Sequence, residues 1–225
     1  MAHRWTAAHL NAPRNKLKHI LGHAARVFSE KGFEGASIRD ISRASRVSLA
    51  GLYYYFESKQ KLLYLIQSNA FTSILERLQE RLKSARKPKE RLRILISNHI
   101  EYFLCNPIEM KVMAHEEDAL EDPYRKEVLE IKRRYYEIAR GIFDELRREG
   151  QVARINPRVA VLSLFGMMNW VYKWHNPEVD PQAEVLGETI AGIFLHGVCN
   201  GKFSNGARAD ALRERSAEQR IRAAG

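Results

Sequence analysis

The segment between Ser37 and Lys59 holds the side chains whose types and spacing best suit recognition chemistry. It contains two separated serines at Ser37 and Ser48, the arginine Arg39, and three consecutive tyrosines that begin at Tyr53. Serine, tyrosine and lysine side chains donate hydrogen bonds to phosphates, and arginine pairs well with guanine. These residue types predict a surface that binds nucleic acid.

Other groups of reactive side chains have simpler interpretations. His19 and His23 have a spacing that binds metals, but no third ligand is apparent and a solvated helix face explains both. The acidic run from His115 to Asp118 suits a charged helix end and loop. Cys105 fits either a redox sensor or, more commonly, a buried structural cysteine. We expect no catalytic residue, no metal site and no cofactor.

Composition narrows the class of protein. The formal net charge of +10 favours polyanionic partners, although charge alone does not separate DNA, RNA and acidic membranes. No apolar stretch approaches the roughly 18 residues of a membrane span, and the N-terminus lacks the apolar core of a signal peptide. Cys105 and Cys199 are too distant to suggest a disulfide framework. We therefore expect a globular cytoplasmic protein with no membrane partner.

Two short helices are predicted to position the recognition segment. Ser37 stands three residues before Asp40, which is the spacing of a capping box at a helix start. Ser48 is a second N-cap candidate, and Val47 and Leu52 flank it at the two positions of a hydrophobic staple. Two short helices joined by three or four residues are typical of a helix-turn-helix.

The remaining pattern predicts an all-α chain of about nine helices, with no convincing alternating strand. Apolar positions recur at helical spacing, and proline or glycine marks the ends. The predicted helices are a first from roughly Arg14 to Lys31, a long one from Ser58 to about Ala85, two between Pro88 and Glu117 that are split at Asn106-Pro107, and three that start at Asp122-Pro123, Asn156-Pro157 and Asp180-Pro181.

The recognition segment resembles the helix-turn-helix of the TetR family of one-component regulators. The resemblance covers in detail roughly the first quarter of the chain. The residues that match the family pattern are Ser37, Asp40, Ile41, Val47, Ser48, Tyr53, Tyr55, Phe56, Lys59 and Leu62. One position departs: Arg46 stands where the family usually has a glycine, and a left-handed turn there would cost roughly 1–3 kcal/mol. Its guanidinium has a second interpretation, as a contact to phosphate.

The resemblance and helical geometry together assign roles within the segment. Leu52 and Phe56 share a core face, so Tyr53 and Tyr54 should point outward. Residues expected at base edges are Arg39, Leu49, Ala50 and Tyr53, and those expected at the DNA backbone are Ser37, Ser48, Gly51, Tyr54, Tyr55 and Lys59. Apolar Leu49 and Ala50 suit a thymine methyl, and Arg39 suits guanine unless it is simply a solvated side chain.

A second candidate site lies in the sequence from Gly166 to Pro177. Adaptable methionine beside rigid indoles suits an apolar ligand pocket, although core packing explains the same residues equally well. The predicted ligand-binding residues are Met167, Trp170, Val171, Lys173 and Trp174. This string is similar to a TetR subgroup that responds to acyl-CoA thioesters. The cationic side chains that best suit the phosphates of such a thioester are Lys173, Arg133, Arg134 and Arg140. Positions on solvated helix faces explain these four residues equally well.

These observations predict three parts: a DNA-binding domain at 1–58, an effector-binding and dimerisation domain at 59–203, and a mobile basic tail at 204–225. The last two helices, about Pro157 to Trp174 and Pro181 to Val198, have apolar residues on more than one face, and the resemblance implies that they pair in a homodimer. Such a dimer would bind a palindromic operator in double-stranded DNA, and a small-molecule effector would release this repressor.

Two alternatives remain at the level of sequence. A basic, sequence-tolerant DNA-binding structural protein would have no effector. An enzyme acting on an acyl-CoA would need a paired acid and base in a cavity, and the sequence offers no such pair.

Overall fold

The computed structural model describes residues 7–116, 118–152 and 155–200, and all regular elements in these ranges are helices. The predicted all-α class is confirmed, and the predicted tail at 204–225 lies outside the described residues. None of the described helices is long and apolar enough to cross a membrane. The helices are α1 (Ala7–Gly35), α2 (Ile38–Ser45), α3 (Leu49–Tyr53), α4 (Lys59–Leu82), α5 (Pro88–Cys105), α6 (Pro107–His115), α7 (Tyr124–Arg148), α8 (Pro157–Asn169), α9 (Val171–Trp174) and α10 (Ala183–Asn200).

Most predicted helix starts are confirmed. Ser58 caps α4 by accepting a hydrogen bond from Lys61 N, and α5, α6 and α8 each begin at a proline. Asn156 caps α8 with its side-chain oxygen, which accepts from the backbone N–H groups of the first turn. Proline is tolerated at these starts because its missing N–H would have no intrahelical partner there.

Two predicted starts are wrong, by one residue at α7 and by two at α10. Helix α7 begins at Tyr124, with Pro123 itself at the N-cap and therefore no side-chain cap. Helix α10 begins at Ala183, because the Asp180 carboxylate accepts from the backbone N–H of Asn176, 2.6 Å away. The acidic side chain thus closes the loop before the helix, so it is not available to cap α10.

The first and eighth helices also differ from their predicted bounds. Gly32 was expected to stop α1, and it adopts a positive φ of 72° that kinks the helix, which nevertheless extends to Gly35. The predicted helix from Pro157 to Trp174 is broken at Trp170, which separates α8 from the single turn α9. Trp170 and Trp174 consequently do not belong to one continuous helix.

Buried apolar side chains form two cores. The N-terminal core unites α1 to α3, the first half of α4, and Val112, Leu120 and Val128 from later in the chain. The C-terminal core unites the second half of α4 with α5, α7, α8 and α10. Helix α4 contributes Leu62 to the first core and Leu78 to the second, so it connects both. The predicted domain boundary at residue 58 stays a prediction.

Helix α5 lies centrally in the C-terminal core. Leu95, Ile96 and Ile100 are fully buried, and α10 packs along the helix at a close approach. At Gly187 of α10, a Cβ atom would lie 3.3 Å from Ser97 Cα. This central position brings His99 and Phe103 of α5 into the wall of the cavity described below.

Candidate DNA-binding surface and ligand cavity

The two predicted caps of the helix-turn-helix are confirmed. Ser37 Oγ accepts from Asp40 N at 3.2 Å, and Ser37 N donates to Asp40 Oδ2 at 3.0 Å, which completes the capping box. Hydrogen bonds from Lys31 and then Ser37 hold the pKa of the Asp40 carboxyl far below its usual value. Ser48 Oγ accepts from Gly51 N at 3.1 Å. Both serines therefore fix the starts of α2 and α3.

The turn between α2 and α3 requires a left-handed residue, and Arg46 supplies it. Its φ of 55° and ψ of 33° lie in the left-handed region, which side chains other than glycine rarely adopt. Its backbone N–H donates to Ser42 O, and Ser42 Oγ donates to Val47 O at 2.6 Å. The turn is thus left-handed although Arg46 stands in place of the expected glycine. The two hydrogen bonds of Arg46 and Ser42 stabilise it.

The aromatic run is oriented as predicted. Leu52 and Phe56 are buried in the N-terminal core, whereas Tyr53 is 54% exposed and Tyr54 is 83% exposed. Tyr55 is half-buried and packs against that core. Burial of one face leaves the opposite face of α3 to solvent, where an external partner is able to reach it.

The predicted base-reading side chains are all exposed, Arg39 on α2 and Leu49, Ala50 and Tyr53 on α3. Gly51 has a packing reason that sequence alone did not show: a Cβ atom there would lie 3.0 Å from Val47 Cγ1 and 3.1 Å from Ser48 Oγ. Glycine therefore allows the staple and the cap to coexist.

Lys59 makes contacts within the chain. Its ammonium donates to Phe33 O at 2.8 Å and to Ala36 O at 3.2 Å, and it lies 4.3 Å from the centroid of the Phe33 ring. The side chain thus connects the start of α4 to the end of α1. The phosphate contact assigned to Lys59 from the sequence stays a prediction.

The histidine pair on α1 also has a structural role. His19 Nε2 donates to Ser45 O at 3.0 Å, and the rings of His19 and His23 lie 4.5 Å apart. The described residues contain no group of three His, Cys, Asp or Glu side chains that could hold a metal ion. Cys105 is exposed, so the interpretation as a buried structural cysteine is wrong.

A cavity of about 440 Å³ lies in the C-terminal core and is surrounded by α4 to α9. Its walls are mostly aromatic and aliphatic, which suits an apolar ligand. The side chains that line it are Phe71, Ile74, His99, Phe103, Met110, Met113, Ala114, Lys132, Tyr135, Tyr136, Leu162, Phe165, Asn169, Trp170 and Tyr172.

Of the five predicted ligand-binding residues, only Trp170 lines this cavity. Val171 is fully buried in the C-terminal core, and Met167 packs against that core from its edge. Trp174 is 47% exposed, and the exposed Lys173 places its Nζ 3.4 Å from His115 Nε2.

The predicted phosphate-binding arginines lie elsewhere on α7. Arg133 and Arg140 form surface ion pairs with Glu130 and Asp144 at 3.6 and 3.8 Å, and neither lines the cavity. Their solvated positions fit the alternative that the sequence left open.

The sequence analysis missed the polar group in the cavity wall. His99 is 4% exposed, and its Nε2 donates to Asn169 Oδ1 at 3.0 Å. Burial lowers the pKa of His99 to about 3, so the ring is neutral. The sequence signal for this buried polar group was the pair Asn98-His99, two polar residues that interrupt the otherwise apolar buried face of α5.

Helix α6 connects the cavity with the N-terminal core. Met110 and Met113 line the cavity, whereas Val112 is buried among residues of α1 and α4. The segment after α6 is held to α4, since Gln67 Nε2 donates to Glu116 O at 2.9 Å and Gln60 Nε2 donates to Ala119 O at 2.8 Å. A displacement of α6 would therefore change the packing of both the cavity wall and the N-terminal core.

Helices α8 and α10 also expose large apolar side chains. Val159 and Leu162 on α8 are about half exposed, at 54% and 47%, and Val185 and Ile193 on α10 are exposed at 58% and 60%. Clustered apolar exposure of this kind is typical of surfaces that pack against another protein.

Comparison with known proteins agrees with this architecture. Residues 20–64 match the family model described as bacterial regulatory proteins of the tetR family. Residues 85–198, just over half of the chain, match the tetracyclin repressor-like C-terminal domain. A curated relative is the fatty acid metabolism regulator protein of Bacillus subtilis (strain 168), which is 23% identical over 190 residues, or 83% of this chain and 97% of the relative.

Two solved structures are similar over most of their length. PfmR from Thermus thermophilus is 28% identical, with a TM-score of 0.73 over 79% of this chain and 97% of PfmR. AibR, solved in complex with isovaleryl coenzyme A and operator DNA, is 27% identical, with a TM-score of 0.71 over 82% of this chain and 98% of AibR. With its capped helix-turn-helix and its helical ligand cavity, this chain belongs to the TetR family of bacterial regulatory proteins.

Proposed function

We propose that this protein is a cytoplasmic transcriptional repressor, without catalytic activity, that binds a palindromic operator as a homodimer and is released by an acyl-CoA thioester. The observation that carries the proposal is the connection of the two sites through α6. Helix α6 lines the apolar cavity and packs against α1, and α1 in turn packs against α2 of the exposed recognition surface.

The DNA contacts follow from exposure and side-chain chemistry. Arg39 would pair with a guanine, and Leu49 and Ala50 would contact thymine methyls while Tyr53 meets a base edge. The backbone contacts are assigned to the residues around them, which are Ser37, Ser48, Gly51, Tyr54, Tyr55 and Lys59. Tyr54 is the strongest of these assignments because its ring is 83% exposed next to α3.

The effector class rests on the cavity and on relatives. Phe71, Phe103 and Phe165 give the cavity an apolar wall that suits an acyl chain. Isovaleryl coenzyme A is bound to AibR, and the Bacillus relative is a fatty acid metabolism regulator. The acyl group would enter the cavity, and the phosphates would stay near its exposed rim, where Lys173 adjoins His115.

Ligand and operator would weaken each other through α6. An acyl chain that pushes on Met110 and Met113 would displace α6, and Val112 would transmit the displacement to the N-terminal core. By linkage, the factor by which ligand weakens operator binding equals the factor by which operator weakens ligand binding.

The exposed apolar faces of α8 and α10 are proposed as the dimer interface. Two helices from each subunit would form a four-helix contact around a two-fold axis. The paired recognition surfaces would then meet half-sites about one helical turn apart.

The test is selection of DNA from a random library, followed by operator binding with and without octanoyl-CoA. We expect an enriched palindrome, a dimer by sedimentation, and release of the operator by the thioester. Equal affinity for selected and random DNA, with no thermal shift by any thioester, would instead favour the sequence-tolerant structural protein.

A further inference from the structure

Helix α1 and the turn before α3 together carry a patch of basic side chains next to the recognition surface. The members of this basic patch are His19, His23 and Arg26 on α1 and Arg46 in the turn. His19 Nε2 donates to Ser45 O at 3.0 Å, and the rings of the two histidines lie 4.5 Å apart. The hydrogen bond therefore holds the histidine pair against the C-terminal end of α2, directly before Arg46.

The members of the basic patch repel one another. Burial is the first cause that lowers the pKa of His23, and the charges of His19, Arg26 and Arg46 follow. Helices α2, α4 and α6, which pack against α1, add no charged group to these causes. Within the described parts of the chain, no carboxylate forms an ion pair with a member of the patch. Unpaired like charges that lie close together favour the binding of an external anion.

The basic patch is accessible and adjoins the start of the recognition helix. Arg26 and Arg46 are exposed, as is His19, whereas His23 is half-buried. Arg46 stands two residues before Ser48, the N-cap of α3. When the N-terminus of a recognition helix lies in the major groove, the residues that precede it lie near the phosphates at the edge of the groove.

We infer that the basic patch binds phosphates of the DNA backbone beside the half-site that α3 contacts, in addition to the backbone contacts assigned above. Charge complementarity and continuity with the recognition surface select duplex DNA as the partner. Arginine suits this role because its guanidinium pairs with phosphate through two hydrogen bonds. The inference rests on the DNA-binding part of the proposed function and needs neither an effector nor a particular operator sequence.

The histidines make this contact depend on pH. His19 Nε2 already donates to Ser45 O, so Nδ1 is able to donate to a phosphate only when the ring carries a second proton. The lowered pKa of His23 keeps its ring mostly neutral at neutral pH in the free protein, and a phosphate beside the ring would favour the charged form. DNA binding should therefore take up protons, and the affinity should rise as the pH falls.

The first experiment measures binding to a random-sequence duplex of about 30 base pairs by fluorescence anisotropy across a salt series. Arg26→Gln and Arg46→Gln should each lower the slope of log affinity against log salt concentration by about one unit. Arg147→Gln is the matched control, since Arg147 is an exposed arginine on α7, and its slope should equal that of the unmodified protein. Thermal melts confirm that all the variants are folded.

The second experiment repeats the measurement at two pH values, about 6 and about 8, where we expect the unmodified protein to bind about tenfold more tightly at the lower value. His19→Gln and His23→Gln should each reduce this ratio to about threefold or less. At position 19 the glutamine amide is able to keep the donor to Ser45 O. His175→Gln is the matched control, because His175 Nε2 makes the same kind of contact with Pro181 O, at 3.1 Å, in the C-terminal part of the chain.

Unchanged slopes in both arginine variants, or an unchanged pH ratio in both histidine variants, would overturn the inference. Tyr54→Ala separates that result from failure of the proposed function, because Tyr54 is an exposed backbone contact assigned independently of the patch. Weaker binding by Tyr54→Ala beside unchanged patch variants would contradict the patch alone. An unmodified protein that binds no duplex at low salt would contradict both proposals.

Discussion

Val112 and Met113 are consecutive residues of α6, yet they are buried in two different cores. Val112 is fully buried in the N-terminal core with the helices that hold the recognition surface, whereas Met113 lines the cavity in the C-terminal core. Successive side chains on a helix point about 100° apart, so one helix is able to contact both. This relationship is the physical basis of the coupling proposed above.

We expect Val112→Ala to uncouple the two sites. The smaller side chain leaves a gap between α6 and the N-terminal core, so a displacement of α6 is transmitted less. Operator affinity should be measured with and without octanoyl-CoA. The release factor, by which the thioester weakens operator binding, should fall by at least about fivefold. Thioester affinity without DNA should stay within about twofold.

Val161→Ala is the matched control for that variant. Val161 is equally buried but lies in the C-terminal core on α8 and does not line the cavity. Each substitution should lower the free energy of unfolding by about 1–3 kcal/mol. If both variants changed the release factor alike, general destabilisation would explain the effect and the role of α6 would be lost.

Lys59→Met tests a structural role against a phosphate contact. Loss of the two hydrogen bonds to carbonyls at the end of α1 should lower the free energy of unfolding by about 1.5–3 kcal/mol. If Lys59 also contacts a phosphate, as assigned from the sequence, the slope of log operator affinity against log salt concentration should fall by about one unit. Chemical denaturation and a salt titration measure the two effects separately, and an unchanged slope would contradict the phosphate contact.

Arg39→Ala should relax the preference of the protein at one base pair of the selected operator. A bidentate arginine contributes about 1–3 kcal/mol of discrimination against a wrong base. Arg43→Ala is the control, because Arg43 lies on the same helix but pairs with Asp40 at 2.7 Å. Repeating the DNA selection with both variants checks this, and equal sequence preference in all three proteins would leave Arg39 as a solvated side chain.

Arg46→Gly should stabilise the protein by about 1 kcal/mol, because glycine adopts the left-handed turn without the steric cost that a Cβ imposes. Arg46→Ala keeps the Cβ while removing the guanidinium, so its stability should stay near that of the unmodified protein. Thermal unfolding compares the three proteins. Should alanine stabilise as much as glycine, charge repulsion and not backbone strain would be the cause.

His99 should make stability depend on acid pH. Its pKa is about 3 in the folded protein against 6.5 for an unperturbed histidine, so below pH 6.5 the unfolded state binds more protons. Stability should therefore fall as the pH falls, by about 1.6 kcal/mol between pH 6.5 and 5. Denaturation of His99→Phe at the same pH values supplies the reference, in which this part of the decline should be missing.

The sequence by itself determined the features that depend on neighbours within about four residues. The caps at Ser37 and Ser48 and the outward Tyr53 and Tyr54 were predictable, and so was the turn at Arg46 as the place where strain would arise. Each follows from a local hydrogen bond, a local backbone requirement or the helical period, none of which needs knowledge of distant segments.

Predictions from local sequence patterns were wrong where more than one local structure was compatible with the same residues. Asp180 has the spacing of an N-cap, but it accepts from Asn176 N and closes the preceding loop instead. The helix expected through Trp170 and Trp174 is interrupted at Trp170, and of the two indoles only Trp170 lines the cavity. Propensity alone does not rank such alternatives.

Only the tertiary structure decided the cavity and the contacts across it. His99, Tyr135 and Phe165 come from three helices far apart in sequence, and their approach depends on how α5, α7 and α8 pack. Lys59 likewise meets Phe33 O only because α4 returns to the end of α1. These pairings are long-range consequences of burying apolar faces, which a periodic pattern identifies without naming their partners.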